Sequence, residues 1–194
     1  MKDKKVEERI LDATLKVVRK NTISGTRMHL IATEADLPQA NLHYHYKTKQ
    51  NLMLALHRKV IDRFLLLRER MKTEKSIPLT VEQELDIFFE QKKVSILEDS
   101  DYDIVEIDFW LQATVSEEYR EIMNKAFERW EYAIRCFIEK VCPDKSESDK
   151  LQLTHLILSI LEGATIQYHV NPEHFDVDAY FEFGKKSVLK LLEM

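Results

Sequence analysis

A chain of 194 residues with 44% apolar side chains can bury one sizeable core, or a small head on a larger body, and its 3 glycines and 4 prolines are too few turn-makers for a many-stranded protein; an all-α fold is expected. It contains no run of the roughly 18 apolar residues that a membrane helix needs, and no apolar segment follows the lysines of MKDKKVEERI, so neither membrane nor leader is expected and the chain is placed in the cytoplasm. The net charge of -5 divides unevenly: residues 1–72 hold 16 Lys and Arg against 8 Asp and Glu (+8), and residues 73–194 hold 13 against 26 (-13), as expected of a basic head that meets a polyanion and an acidic body that does not.

Val6, Ile10, Ala13 and Val17 recur at helical spacing, with Leu11, Leu15 and Val18 widening the stripe, and predict a first helix ending near Lys20. NTISGT breaks it, and Thr26 is expected to cap a second helix reaching about Ala35. Asp36-Leu37-Pro38 makes the next break, since Asp tolerates unusual turn dihedrals and Pro suits the first turn of a short third helix from Pro38 to about Tyr44. A fourth helix starts behind Thr48 as N-cap, carries Leu52, Leu56, Val60 and Phe64, and runs to about Lys72. Beyond a connector containing Pro78, helices are predicted at about 80–97, 103–114, 117–141, 148–170 and 177–192, about nine in all. Cys136 and Cys142 lie six apart and point to different faces, so no disulfide and no shared metal site is expected. The last two helices are strongly apolar; they could fill their own core or pair with a second copy.

The stretch TRMHLIATEADLPQANLHYHYKTKQNL, from Thr26 to Leu52, concentrates the information. Leu30, Ile31, Ala32, Leu37 and Leu42 would close a small three-helix core around a short turn, and small Ala32, Ala35 and Ala40 would let two helices cross closely, as a helix-turn-helix requires. The second helix of such a unit lays its N-terminal residues in the major groove. Gln39 and Asn41 carry amides that can pair with adenine edges, while His43, Tyr44, His45, Lys47 and Lys49 form a donor-rich rim for phosphates. Histidines two apart do not share a helical face, which argues against a metal site.

Ile31-Ala32, Ala35-Asp36-Leu37-Pro38, Leu42-His43-Tyr44-His45-Tyr46 and Lys47-Thr48-Lys49-Gln50 with Leu52 resemble, over about 6–56, the heads of the tetracycline-repressor (TetR) family of bacterial regulators. Asp36 and Ala40 stand at positions where the family commonly has Gly, His43 replaces the first Tyr of an aromatic pair, and Tyr46 replaces a core Phe. The resemblance implies that Arg27, His29 and Lys49 hold the DNA backbone and that Gln39, Asn41 and His43 set the operator. The residues expected to touch double-stranded DNA are therefore Arg27, His29, Gln39, Ala40, Asn41, His43, Tyr44, His45 and Lys49. It further implies a DNA-binding domain over 1–50, an effector-binding and dimerisation domain over 51–194, a homodimer through the last two helices on an inverted-repeat operator, and repression relieved by a small molecule.

FWLQATVSEEYREIMNKAFERWEYAIRCFIE and the following LILSILEGATIQYHV are similar to the branch that contains choline-responsive repressors, without fixing the ligand. Phe88, Phe109, Trp110, Met123, Phe127, Trp130 and Tyr168 fall in helices that would surround a family pocket, and aromatic residues suit an apolar or cationic molecule. Plain core packing is the competing reading for each. Asp103, Glu106 and Asp108 read as a solvated acidic helix end, Glu106 and Asp108 being unable to share a face. A Gly-rich phosphate loop, a His-Glu-x-x-His motif and a flanked nucleophile are all missing from the sequence, so no enzyme activity and no cofactor are expected; a helical interaction module is the other alternative.

Overall fold

The computed structural model describes residues 2–75 and 78–193. Among them are nine helices and no strand: α1 Lys2–Gly25, α2 Met28–Glu34, α3 Gln39–His45, α4 Lys49–Thr73, α5 Val81–Leu97, α6 Ser100–Val115, α7 Glu117–Val141, α8 Glu147–Val170 and α9 Val177–Glu193. The all-α expectation holds, and no described helix is long and apolar enough to cross a membrane.

Side-chain caps start the helices where short polar residues precede apolar periodicity. Thr48 Oγ1 accepts from the Asn51 amide at 3.1 Å, and Asp176 Oδ1 from Ala179 at 2.9 Å. Thr80 and Gln83 form a reciprocal capping box before α5. Ser146 accepts from the Asp149 amide at 3.1 Å, which starts α8 just ahead of the predicted residue 148.

The first helix breaks at Thr22 (φ 61°, ψ 166°), inside the expected NTISGT break and in a region that β-branched residues rarely enter, and a short helical turn beyond the kink carries α1 to Gly25. One predicted start needs correction. Thr26 is no N-cap: fully buried, it donates through Oγ1 to the Thr22 carbonyl at 2.6 Å and seals this kink. Arg27 stands at the N-cap of α2 in extended conformation, without a side-chain cap.

The chain packs as two compact units. The first comprises residues up to Arg63 with Ser100–Met123, so α6 packs with the predicted head and the unit extends beyond residue 50. Ile10, Ile31, Leu42, Leu52, Leu56, Val105 and Phe109 are completely buried in it, and α1 lies against both α2 and α6. His57 meets the Phe109 ring edge-on at 4.9 Å.

The second unit comprises Phe64–Asp99 and the chain from Asn124 onward, with a core of α5, α7, α8 and α9 side chains. Phe89 and Phe181 meet edge to face at 5.4 Å, and Gly184 lets α9 approach: a Cβ there would lie 3.0 Å from Ile160 Cγ2 and 3.2 Å from the Phe89 ring. Lys92 and Glu162 tie α5 to α8 at 2.6 Å with little exposure, and Lys185 ties α9 to Asp86 at 2.9 Å. Cys142 is a buried thiol donating to the Leu192 carbonyl at 3.1 Å, while Cys136 is exposed.

Candidate nucleic-acid interface

The turn between α2 and α3 is built by main-chain geometry. Asp36 takes positive φ (49°), its amide donates to the Thr33 carbonyl at 3.1 Å, and Leu37 N donates to the Ala32 carbonyl at 2.9 Å. This pair of bonds is a Schellman stop, whose left-handed residue is normally Gly. Arg9 Nη2 secures the same turn by donating to the Asp36 carbonyl at 3.2 Å. Pro38, which directly precedes α3 as its N-cap, then accepts the Asn41 and Leu42 amides at 2.9 and 3.3 Å.

Thus oriented, α3 buries Leu42 completely and presents Gln39, Ala40, His43 and Tyr44 to solvent, Tyr44 with 76% of its surface exposed. Gln39 Nε2 lies 3.4 Å from His43 Nε2, so two of the expected base-reading side chains share one helical face. Asn41 is half-buried at the flank. His45 departs from the expected rim: its side chain retains only 6% exposure and Nδ1 sits 3.7 Å from Glu7 on α1, because position 45 turns inward where α3 closes on the helix stripe behind it. Tyr46, expected in the core, is half-buried; burial and the nearby Glu7 push its phenol above the ordinary value of 10.

Arg27 and Lys49 converge on the α1–α2 turn. Arg27 Nη1 donates to the Ser24 and Thr26 carbonyls at 2.8 and 3.2 Å, and Lys49 Nζ donates to the Ile23 carbonyl at 2.5 Å. Burial, then the Arg27 charge, hold the Lys49 ammonium below its ordinary value. Both cations thus hold the turn of the head itself, Arg27 from an exposed position and Lys49 half-buried. His29 and Lys47 are exposed.

α6 secures the same turn through two further side chains. Asp108 accepts from the Ile23 amide through Oδ2 and from Gln112 Nε2 at 3.3 Å through Oδ1; Ser24 Oγ in turn donates to Gln112 Oε1 at 3.1 Å. Arg19 and Asp101 add an exposed pair at 3.4 Å. The sequence reading missed this clamp, and it corrects the solvated acidic end expected for α6: Asp103 and Glu106 are buried, and Asp108 is half-buried against the turn. The i, i+4 spacing of Asp108 and Gln112 was the available signal, but nothing along the chain names a partner 85 residues away.

The seven residues expected to line a ligand pocket divide between the two units. Phe109, Trp110 and Met123 belong to the first, where Phe109 packs against His57 and Tyr119 and Met123 is almost fully buried. Phe88, Phe127, Trp130 and Tyr168 belong to the second. There Phe127 and Trp130 meet edge to face at 5.4 Å, Trp130 and Tyr168 pack against the core, and Phe88 contacts Phe137.

Residues 10–56 match the family described as bacterial regulatory proteins, tetR family, and residues 103–193 match the BetI-type transcriptional repressor C-terminal family. A search of curated proteins found no significant match. Among solved structures, a transcriptional regulator from Pseudomonas aeruginosa PAO1 superposes with TM-score 0.85 at 16% identity, covering 100% of this chain and 93% of its own. A regulator from Saccharomonospora viridis in complex with choline gives 0.77 at 20% identity, covering 98% and 96%. FadR from Bacillus subtilis in complex with stearoyl-CoA gives 0.76 at 17% identity, covering 95% and 96%.

Proposed function

We propose, for a chain that belongs to the tetR family of bacterial transcriptional regulators, that it works in the cytoplasm as a ligand-responsive repressor: residues 1–50 read an inverted-repeat operator, and residues 51–194 bind an effector and pair with a second copy. The observation that carries this reading is the exposed face of α3, where Gln39, Ala40, His43 and Tyr44 stand clear of a core closed by Ile31 and Leu42. Amide and imidazole edges on the second helix of such a unit are suited to base readout, with exposed Arg27, His29 and Lys47 beside them for phosphates.

Pairing through α8 and α9 is supported by apolar side chains left at the surface: Leu156, Ile166 and Val170 on α8 and Phe183 on α9, the last 74% exposed. An effector is supported by the choline and stearoyl-CoA bound in two solved proteins of this fold. We assign its binding to the second unit, which holds Phe88, Phe127, Trp130 and Tyr168. The signal has a covalent route to the head, because α4 and α7 each run without interruption through residues of both units, and α6 holds the α1–α2 turn through Asp108 and Gln112. The effector acts only to the extent that it binds the DNA-free state more tightly than the DNA-competent one.

The test is selection of bound duplexes from a random pool with the full chain, followed by titration of the enriched sequence at several salt concentrations. Enrichment of an inverted repeat with a steep salt dependence is expected. No enrichment overturns the reading.

A further inference from the structure

The second unit contains a cavity of about 300 Å³ between the end of α4, α5 and α7. That is the small end of the roughly 300–1,000 Å³ range of ligand pockets. Its apolar wall is Ile87, Phe88 and Phe137, and its cations are Arg68, Lys72 and Lys140 against the single carboxylate of Glu84. Lys140 is already paired with Glu84, and Lys72 with Glu69 at 2.8 Å. Arg68 is different. Its guanidinium lies 4.2 Å above the centre of the Phe88 ring, and its buried Nε–H has no hydrogen-bond acceptor among the described residues. Burial lowers its proton affinity below that of an ordinary arginine, a measure of how poorly solvated the cation is.

We propose that this cavity is the effector site and that it takes a small apolar carboxylate, the carboxylate on Arg68 and the hydrocarbon or aryl part on Ile87, Phe88 and Phe137. A planar guanidinium with a buried, unsatisfied N–H in a low-dielectric wall is matched by a carboxylate, which supplies both charge and acceptor. The same geometry disfavours a quaternary ammonium ligand such as choline. Such a cation needs open aromatic faces, and here the face of Phe88 is covered by the protein's own Arg68, in a wall whose cations outnumber its carboxylates. The inference rests on the reading of the chain as a ligand-responsive regulator, but ligand binding is measurable without DNA.

The experiment is calorimetric titration of the full-length protein with phenylacetate and octanoate, alongside phenylacetamide, octanamide and choline, repeated with Arg68→Gln. A second readout is alkylation of Cys136, an exposed thiol that also lines the cavity, with buried Cys142 as internal reference. At least one carboxylate is expected to bind and to slow Cys136 alkylation. Its amide should bind about tenfold more weakly or worse, and Arg68→Gln, checked for native helix content and melting, should lose a similar factor, the worth of a charge-assisted hydrogen bond. The proposal is overturned if neither carboxylate binds, if choline or the amide binds as well, or if Arg68→Gln leaves carboxylate affinity unchanged. Carboxylate binding without any DNA selection would leave the site standing and remove the regulator reading; an operator without carboxylate binding would do the reverse.

Discussion

Replacing Asp108 by Ala removes the acceptor of the Ile23 amide, which belongs to a residue only 2% exposed. A buried donor left without a partner costs about 1–3 kcal/mol, and a hydrogen bond to a charged group contributes about 1.5–3 kcal/mol. Gln112 also loses the carboxylate oxygen that orients it toward Ser24. A loss of about 2 kcal/mol is therefore expected in the local stability of the α1–α2 turn, since tertiary contacts elsewhere in the unit are untouched. Native-state hydrogen exchange reads this at one residue: the Ile23 amide should exchange about 30-fold faster, at 1.4 kcal/mol per factor of ten. Asp108→Asn keeps one oxygen for Ile23 while giving up the second acceptor, and should fall between wild type and Ala. If Ile23 exchanges at the same rate in Asp108→Ala and wild type, the clamp is not what holds the turn.

Three further outcomes are expected. Asp36 has positive φ at a stop that Gly normally occupies, so Asp36→Gly should stabilise the chain by about 0.5–1 kcal/mol and Asp36→Val should destabilise it by more, both read from urea midpoints. At Gly184 an added methyl meets Ile160 and the Phe89 ring at 3.0 and 3.2 Å, so Gly184→Ala should cost about 1–3 kcal/mol in thermal or chemical unfolding; an unchanged midpoint would mean that α9 shifts freely. The Tyr46 phenol titrates above 10 in the folded chain, so the unfolded chain releases this proton first and stability falls as pH rises above 10; in Tyr46→Phe, alkaline titration of the melting temperature should show a shallower decline.

Much of this architecture is visible in the sequence because periodicity and capping are local. Glu117–Val141 lies between the breaks at Ser116 and Pro143, Thr48 caps α4 as expected, and the helix expected from about residue 80 starts directly behind Thr80. Asp36 was legible as a turn residue for the same reason: its side chain tolerates the dihedral that the stop needs. Thr26 was misread because a threonine before an apolar run looks alike whether its hydroxyl caps the next helix or bonds back to the Thr22 carbonyl. His45 and Asp108 share another difficulty. Their roles are set by Glu7 and Ile23, 38 and 85 positions away, and charge at the end of a helix says nothing about which distant element covers it. Arg68 over Phe88 joins α4 to α5, and the apolar stripes of those helices did not indicate that a cation would lie on the ring.

The α6 clamp also bears on how members of this family can be recombined. A chimaera cut after residue 56, where the head match ends, would take α1–α3 to a foreign body and leave Asp108 and Gln112 behind. The transplanted Ile23 amide and Ser24 hydroxyl would then face whatever the host's sixth helix offers. Grafts intended to exchange operator preference between regulators should carry residues 100–123 with the head, or restore an acidic residue and an amide four positions apart on the receiving helix.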